Sequence, residues 1–212
     1  MFGFGIFREV ITEEAKLREL FGEPSRLVQS KSIDHLDPHC RDFIARSPFL
    51  VLATADADGN CDASPRGDAP GFVHVIDERH LVIPERPGNK RMDSMRNLLS
   101  NPHVGLIFII PTLEETLRIN GRACIIQDKE LLEKMAVNGK VPTVGIGVQV
   151  EECYVHCAKA FIRSGLWKPE KWPPQEAIPN IAQMVADHVK LPGMTATDIA
   201  AGLKDSYTNR LY

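Results

Sequence analysis

The first half of the chain contains four short apolar segments joined by very brief connections, and this spacing constrains the fold most. The segments cover residues 49–54, 61–64, 72–76 and 80–83, and no connection between them exceeds seven residues. A parallel pair of strands needs a crossover of about a dozen residues or more, so these segments are predicted to be antiparallel strands. Asp58-Gly59 is a typical hairpin turn. The pattern is that of a meander and argues against a dinucleotide-binding βαβ fold.

Further along the chain, longer apolar segments extend the predicted sheet. Strands are predicted over 104–110, 116–126 and 142–150. Helices are predicted over 89–99, 128–136 and 154–164, with two more before residue 47 and two after residue 172. The predicted class is therefore mainly β with helices (α+β): an antiparallel barrel of six or seven strands with N- and C-terminal helices.

This pattern predicts one domain over residues 1–212. Within it we expect a helical N-terminal extension (1–47), a barrel core (48–170) and a helical C-terminal extension (171–212). Asp37-Pro38 has the composition of an N-cap followed by a first helical residue, which predicts the start of the second helix. Thr195 and Asp198 have the spacing of a capping box, which predicts the start of the last helix.

Charge and cysteine content narrow the function classes. The 25 basic and 28 acidic residues give a net charge of -3, which favours neither nucleic acid nor an anionic membrane as a partner. No segment approaches the ~20 apolar residues of a membrane span. The five cysteines are odd in number, and reduced thiols in a cytoplasmic protein explain them best.

A basic segment, residues 86–91, follows the fourth predicted strand and leads into a predicted helix. It contains Arg86, Lys90 and Arg91, with Asn89 available to cap the helix or bind an anion. A helix N-terminus offers unpaired N–H groups and a partial positive charge, where three cations would repel one another unless an anion joined them. A phosphate-binding site is one interpretation. A solvated basic turn is the other.

Two other segments have polar residues suited to a planar anionic ligand. Ser64-Pro-Arg-Gly-Asp68 ends a predicted strand, and its Arg66 could bind a ligand in bidentate fashion or belong to an ordinary hairpin turn. Lys159, Arg163 and Trp167 recur every four residues, as in a helical face that covers an aromatic ligand or in an ordinary amphipathic face.

A metal site is not predicted. Cys153, His156 and Cys157 would share one face of the predicted 154–164 helix, but a fourth ligand is not evident, so buried thiols are the better interpretation.

The combined motifs resemble the pyridoxamine 5'-phosphate oxidase-like family, and more narrowly a branch of it described as FMN-dependent enzymes. The resemblance covers about residues 40–170 and rests on these motifs: Ala53-Thr54, Asp58-Gly59, Ser64-Pro-Arg-Gly67, Pro87-Gly-Asn-Lys-Arg91, Asn101-Pro102 and Glu115-Thr-Leu-Arg-Ile-Asn-Gly121. It implies a split β-barrel of the FMN-binding type, and a homodimer with FMN at the subunit interface. The C-terminal Asn209-Arg-Leu-Tyr212 only partly matches the segment with which the classical oxidase holds pyridoxal phosphate, so vitamin B6 is not expected as the substrate.

The resemblance also implies a set of cofactor-binding residues. Near Ser64 and Arg66 the first strands flank the isoalloxazine ring, residues 89–91 clamp the phosphate, and Thr116 and Arg118 are offered by the second subunit. The full set is Ser64, Arg66, Gly67, Arg86, Asn89, Lys90, Arg91, Thr116, Arg118 and Trp167.

The expected function is an FMN-dependent oxidoreductase acting on a small molecule, with no catalytic side chain identified. Two alternatives use the same fold. One is a non-enzymatic flavin- or haem-binding module, in which His74, His103 or His156 would have to ligate the haem. The other is a deazaflavin-dependent reductase.

Overall fold

The computed structural model describes residues 5–212. The chain divides into two compact units, residues 1–32 and Ile33–Tyr212. The first four residues of the predicted N-terminal extension lie outside the described residues. In the first unit, helix α1 (Glu14–Phe21) ends at Gly22, whose φ of 73° suits a glycine. Helix α2 (Arg26–Ser30) follows in the same unit.

The second unit contains the sheet and the remaining helices. Its strands are β1 (Phe49–Ala55), β2 (Cys61–Gly67), β3 (His74–Val75), β4 (His80–Pro84), β5 (His103–Ile109), β6 (Thr116–Ile126) and β7 (Gly145–His156). Its α-helices are α3 (Pro38–Arg46), α4 (Asp93–Ser100), α5 (Lys129–Glu133), α6 (Lys159–Ser164), α7 (Ile181–Val189) and α8 (Ala196–Asn209). Single 3-10 turns lie at Pro169–Lys171 and Gln175–Ala177.

All seven strands form one antiparallel sheet in the order β2-β1-β5-β6-β7-β4-β3. The α+β class and the antiparallel pairing are thus confirmed. The prediction of one continuous four-strand meander is wrong, because β2 and β3 lie at opposite ends of the strand order. Each pairs only with its own hairpin partner, β1 or β4.

The short connection from β2 to β3 shows that the sheet curves on itself. Gly67 and His74 are seven residues apart, so they lie at most about 25 Å from each other. The edge strands of a flat seven-stranded sheet would be about 29 Å apart, at ~4.8 Å per strand. The sheet must therefore bend until its two edges approach, which is the arrangement of a barrel that has not closed.

The concave core consists of alternate residues from the central strands. Leu52 of β1 is paired with Leu106 of β5, which is paired with Ile119 of β6, and all three are fully buried. Ile44 of α3 packs into the same core. Helix α3 begins as predicted, because the Asp37 side chain accepts a hydrogen bond from the Cys40 N–H at 2.7 Å.

Several predicted boundaries differ from those observed, and three of the differences affect the site or its surroundings. Strand β2 continues through Gly67, so the segment from Ser64 to Gly67 is an edge strand and not a turn. Helix α4 begins at Asp93 and not at residue 89, because Lys90 and Met92 have φ values of 62° and 58°, which a right-handed helix cannot contain. The predicted 154–164 helix is wrong at its start, since β7 pairs with β6 as far as His156.

The C-terminal residues form the two predicted helices, α7 and α8. The capping box that begins α8 is confirmed: Thr195 and Asp198 each bond the other's backbone N–H. Within the described part of the chain, no helix has the length and apolarity needed to cross a membrane.

Candidate functional site

A cavity of about 910 Å³ lies between the end of β2, the β4–α4 connection and the last residues of the chain. Its lining includes seven of the ten residues predicted to bind a cofactor: Ser64, Arg66, Gly67, Arg86, Asn89, Lys90 and Arg91. The two segments that supply them are about 20 residues apart in sequence and meet because β2 and β4 lie near the opposite edges of the curved sheet.

The basic segment is an irregular loop and not the first turn of a helix. The Asn89 side chain accepts a hydrogen bond from the backbone N–H of Arg91 at 2.9 Å, which closes a small turn. Helix α4 then begins without a side-chain cap, and its first residues, Asp93, Ser94 and Met95, line the cavity. The unpaired N–H groups of this helix start therefore lie beside the cavity, although the cations precede the helix.

Carboxylates neutralise two of the three cations in this loop. Arg86 is 2.7 Å from Asp68, and Arg91 is 2.8 Å from Asp93. Lys90 makes no ion pair among the residues that the structure describes. The inference that three cations would repel one another without a bound anion is therefore wrong in its premise, since neighbouring side chains already relieve the repulsion.

Asp68 is the most deeply buried charged group at this site, with a side chain 2% exposed. It accepts hydrogen bonds from Arg86 Nε at 2.7 Å, from the Tyr212 hydroxyl at 2.8 Å and from the Ala69 N–H at 2.8 Å. Burial acts to raise the pKa of Asp68, but the bonds from Tyr212 and Ala69 and the charge of Arg86 outweigh it and lower the pKa. The carboxylate is thus fully partnered and ionised at neutral pH.

Tyr212 brings the end of the chain to the cavity. Besides its bond to Asp68, its ring lies 5.8 Å from the Arg86 guanidinium, and its carbonyl oxygen accepts a hydrogen bond from Lys140 Nζ at 2.6 Å. Leu211 and Tyr212 both line the cavity. Two side-chain contacts and one backbone contact therefore fix Tyr212 beside the basic loop.

Arg66, two residues before Asp68, is held by a polar network. Its Nη2 donates to Ser94 Oγ at 3.3 Å, and Ser94 Oγ donates to Asp62 at 2.6 Å. Ser64 Oγ also donates to Asp62. Glu85 approaches the same guanidinium at 3.4 Å, and burial raises the pKa of this carboxyl against the opposing effect of the Arg66 charge.

Thr116, Arg118 and Trp167 do not line this cavity. Arg118 stands in one register row with Ile107, Val51 and Pro65, on the sheet face opposite to that of Arg66, whose partner Leu50 is buried. Three strand spacings, about 14 Å, separate β6 from β2.

The predicted helical stripe does not include Trp167, because α6 ends at Ser164. The Trp167 indole N–H donates to the Leu113 carbonyl at 2.9 Å, and the Trp167 ring stacks on Phe161. One chain therefore unites seven of the ten predicted residues and leaves three away from the cavity, with Thr116 buried in the chain itself.

The residues of the rejected zinc site are also separated. Cys153 is buried on β7 with its sulfur 3.3 Å from that of Cys40, whereas His156 ends the strand and Cys157 follows it. Over residues 5–212, no group of three or more metal-ligating side chains is found.

Sequence reasoning missed five residues of the site: Asp62, Asp68, Glu85, Ser94 and Tyr212. Asp68 and Glu85 each stand next to a predicted residue, and the conflict among three nearby cations was a signal that carboxylates had to be close. Ser94 and Tyr212 had no usable signal, because their contacts span 28 and 144 residues.

Comparison with known proteins identifies the family. A family model described as pyridoxamine 5'-phosphate oxidase matches residues 36–157, more than half of the chain. The chain belongs to this family. The matched region contains the whole sheet and every residue of the predicted set except Trp167. No curated protein matches the chain.

Solved structures of similar fold cover a little more than half of the chain. HupZ of Group A Streptococcus is 18% identical, with a TM-score of 0.46 over 56% of this chain and 92% of its own. HutZ, the haem storage protein of Vibrio cholerae, is 20% identical, with a TM-score of 0.42 over 57% and 93%. An FMN-binding protein of Syntrophomonas wolfei is 11% identical, with a TM-score of 0.42 over 55% and 88%.

Proposed function

We propose that this protein binds FMN in the 910 Å³ cavity and uses it as an oxidoreductase on a small molecule. The observation that carries the proposal is the convergence on one cavity of the β2 residues Ser64, Arg66 and Gly67 with the basic loop 86–91. These are the segments for which the family resemblance implies ring and phosphate binding. A cavity of this size is within the range of cofactor sites, about 300–1,000 Å³.

The basic loop fits a phosphate. Lys90 brings a positive charge without an ion-pair partner among the described residues. Arg86 and Arg91 each use Nε to bond a carboxylate, and a guanidinium has five N–H donors, so both retain donors for a ligand. The uncapped start of α4 adds backbone N–H groups. We infer that Lys90 carries most of the electrostatic attraction.

The part of the cavity around Arg66 fits a planar ring system that carries hydrogen-bond acceptors. Arg66 is fixed there by the Ser94–Asp62 network, and its Nε atom is buried without a hydrogen-bond partner among the described residues. A buried donor of this kind favours a ligand oxygen. Its positive charge would also stabilise negative charge on a ring beside it.

When bound, FMN supplies hydride and electron transfer, while the chain binds and orients it. Arg66 holds a positive charge at the ring end, and Lys90 holds one at the phosphate end. Ser64 orients Asp62, which in turn anchors Ser94 and so Arg66. The small-molecule substrate is proposed to enter from the open side of the same cavity.

We also propose that the protein is a homodimer and that the partner subunit completes the site with its own Thr116 and Arg118. Two observations support this. Within one chain these residues lie about three strands from Arg66 and on the other sheet face. The face that carries Arg118 also exposes apolar side chains, with Phe49 36% and Ile107 39% exposed. Light scattering of the purified protein would give the dimer mass, and a monomer would refute this part.

The FMN proposal is tested by the absorbance and mass of whatever copurifies with the protein. FMN should appear as a yellow, flavin-like spectrum that bleaches with dithionite or NAD(P)H, and stripped protein should take up FMN and quench its fluorescence. Colourless protein that fails to bind added FMN would refute the proposal. A Soret band on haem titration, or retention of a deazaflavin instead of FMN, would indicate one of the alternative functions.

The residue-level test is Lys90→Ala. Loss of this cation should weaken FMN binding by about tenfold or more, since a hydrogen bond to a charged group contributes ~1.5–3 kcal/mol. The melting temperature of Lys90→Ala should stay within a degree or two of the wild-type value, because the Lys90 side chain makes no ion pair in the described structure. Lys129→Ala is the matched control, as Lys129 is 85% exposed on α5 and does not line the cavity. Equal FMN affinity in both variants would contradict the phosphate assignment.

A further inference from the structure

We propose that Arg66 and Glu85 together recognise a ligand edge on which a hydrogen-bond acceptor stands next to an N–H donor, and that on FMN this is the imide edge of the pyrimidine ring. The inference rests on the proposed function, and makes Glu85 a specificity-determining residue of the same cavity.

The first observation is a pair of unsatisfied buried atoms. Arg66 Nε and Glu85 Oε2 are both inaccessible to solvent, and neither has a hydrogen-bond partner among the described residues. Both side chains line the cavity. Buried polar atoms are normally paired, and leaving one unpaired costs about 1–3 kcal/mol. One donor and one acceptor are thus left unpaired in the cavity wall, and because the two side chains are 18% and 24% exposed, a small shift would present these atoms to a ligand.

The second observation is that the two side chains do not satisfy each other. Arg66 Nη2 lies 3.4 Å from Glu85 Oε2, close enough for electrostatic attraction but not aligned for a hydrogen bond. The guanidinium is turned instead toward Ser94 Oγ at 3.3 Å and the Pro65 carbonyl at 3.1 Å. These contacts hold it in an orientation in which Nε and Oε2 remain free.

The chemistry of Arg66 Nε and Glu85 Oε2 defines which ligand groups can bind them. Nε of a guanidinium can only donate, and an ionised carboxylate can only accept. A matching ligand therefore needs an acceptor oxygen for Arg66 and an N–H group for Glu85, adjacent on one edge. An imide, with its N–H between two carbonyls, meets this requirement. An ether, ester or carboxylate has no N–H for Glu85, and an ionised ligand carboxylate would also be repelled by it.

Protonation should control this recognition. The carboxylate accepts from N–H more strongly than the neutral acid, since a charge-assisted hydrogen bond is roughly twice as strong. Because burial raises the pKa of Glu85, the weakening should begin at a higher pH than for an exposed glutamate. FMN affinity of the wild type should therefore fall as the pH drops through this pKa, and that of Glu85→Gln should lack this component.

The decisive experiment combines one substitution in the protein with one chemical change in the ligand. Dissociation constants of FMN and of N3-methyl-FMN, which lacks the imide N–H, are measured by fluorescence quenching on wild type and on Glu85→Ala. The methyl group should weaken binding to the wild type by about 10- to 100-fold, the worth of a hydrogen bond to a charged group. In Glu85→Ala the same methyl group should cost less than about threefold. Glu133→Ala, an exposed glutamate on α5, should behave as wild type.

The outcomes separate the two proposals. If wild type binds FMN but the methyl penalty is small, or is as large in Glu85→Ala, the inference about Glu85 is overturned while the proposed function stands. If wild type does not bind FMN at all, both fail. Should Glu85→Ala not fold, Glu85→Gln replaces it, with a penalty predicted to fall below that of wild type and a pH profile without the Glu85 component. An unchanged profile would overturn the inference.

Discussion

The Asp68 carboxylate offers the sharpest test of how this site is built. Replacing Asp68 with Ala removes three hydrogen bonds at once and leaves Arg86 without its ion-pair partner. Breaking a buried ion pair by removing one partner costs about 3–5 kcal/mol. The Arg86 side chain is 16% exposed, so partial hydration of its charge places the expected loss near the lower limit. We therefore expect the free energy of unfolding to fall by about 3 kcal/mol.

The assay is urea unfolding followed by far-UV circular dichroism and by tryptophan fluorescence. For a chain of this size, a loss of 3 kcal/mol corresponds to a fall in melting temperature of about 6–12 °C. Tyr212→Phe removes only one of the three bonds and should cost about 1.5 kcal/mol. Tyr207→Phe is its control, since Tyr207 lies on α8, 66% exposed. Asp42→Ala, in an exposed ion pair with Arg46, should leave the free energy of unfolding essentially unchanged.

The pH dependence provides an independent check. Because the pKa of Asp68 is lowered by folding, its stabilisation is complete above the unfolded value of about 3.9 and is lost as the pH falls through the folded value. The stability gap between wild type and Asp68→Asn should thus be constant from pH 5 to 7 and shrink below about pH 4. A gap that persists or widens in acid, or a loss below 1 kcal/mol for Asp68→Ala, would refute the account of this carboxylate.

Two glycines with opposite surroundings give further predictions, both measured by thermal unfolding. A Cβ at Gly121 would clash with the carbonyl oxygen of Gln149. Gly121→Ala should therefore open the β6–β7 pairing and lower the free energy of unfolding by about 3 kcal/mol. A near-neutral result would contradict this close approach. At Gly202, inside α8, no atom of the described residues beyond the adjoining residues and helix backbone lies within 4 Å of the added methyl group. Gly202→Ala should therefore stabilise the protein by up to ~1 kcal/mol, and destabilisation would contradict this expectation.

Features that depend on a few neighbouring residues were predictable from the sequence. The caps of α3 and α8 and the β1–β2 hairpin follow from the local chemistry of Asp37, Thr195 and the Asp58-Gly59 turn, and the structure confirms them. The strand pairings across the curved sheet were not predictable. The short link between β2 and β3 is equally compatible with a tight hairpin and with a crossing between two sheet edges. The position of β5, β6 and β7 between the two hairpins decides between these arrangements.

The candidate site also has one feature that the sequence predicts and one that it does not. Its basic loop was recognisable because Arg86, Lys90 and Arg91 are close in sequence, but its conformation was not. Lys90 and Met92 adopt positive φ values that non-glycine residues rarely take, and nothing in the sequence marks them. The predicted helix start is therefore four residues too early.

The carboxylates around the loop change which residues should matter for ligand binding. Had the three cations been unpaired, each would contribute comparably to holding a phosphate, and any one could be lost at similar cost. With Asp68 and Asp93 already bound to Arg86 and Arg91, a ligand phosphate must share those two guanidinium groups with carboxylates that repel it. Lys90 has no such competitor among the described residues. The affinity loss on removing Lys90 should therefore exceed that on removing Arg91, a ranking that the three-cation interpretation does not predict.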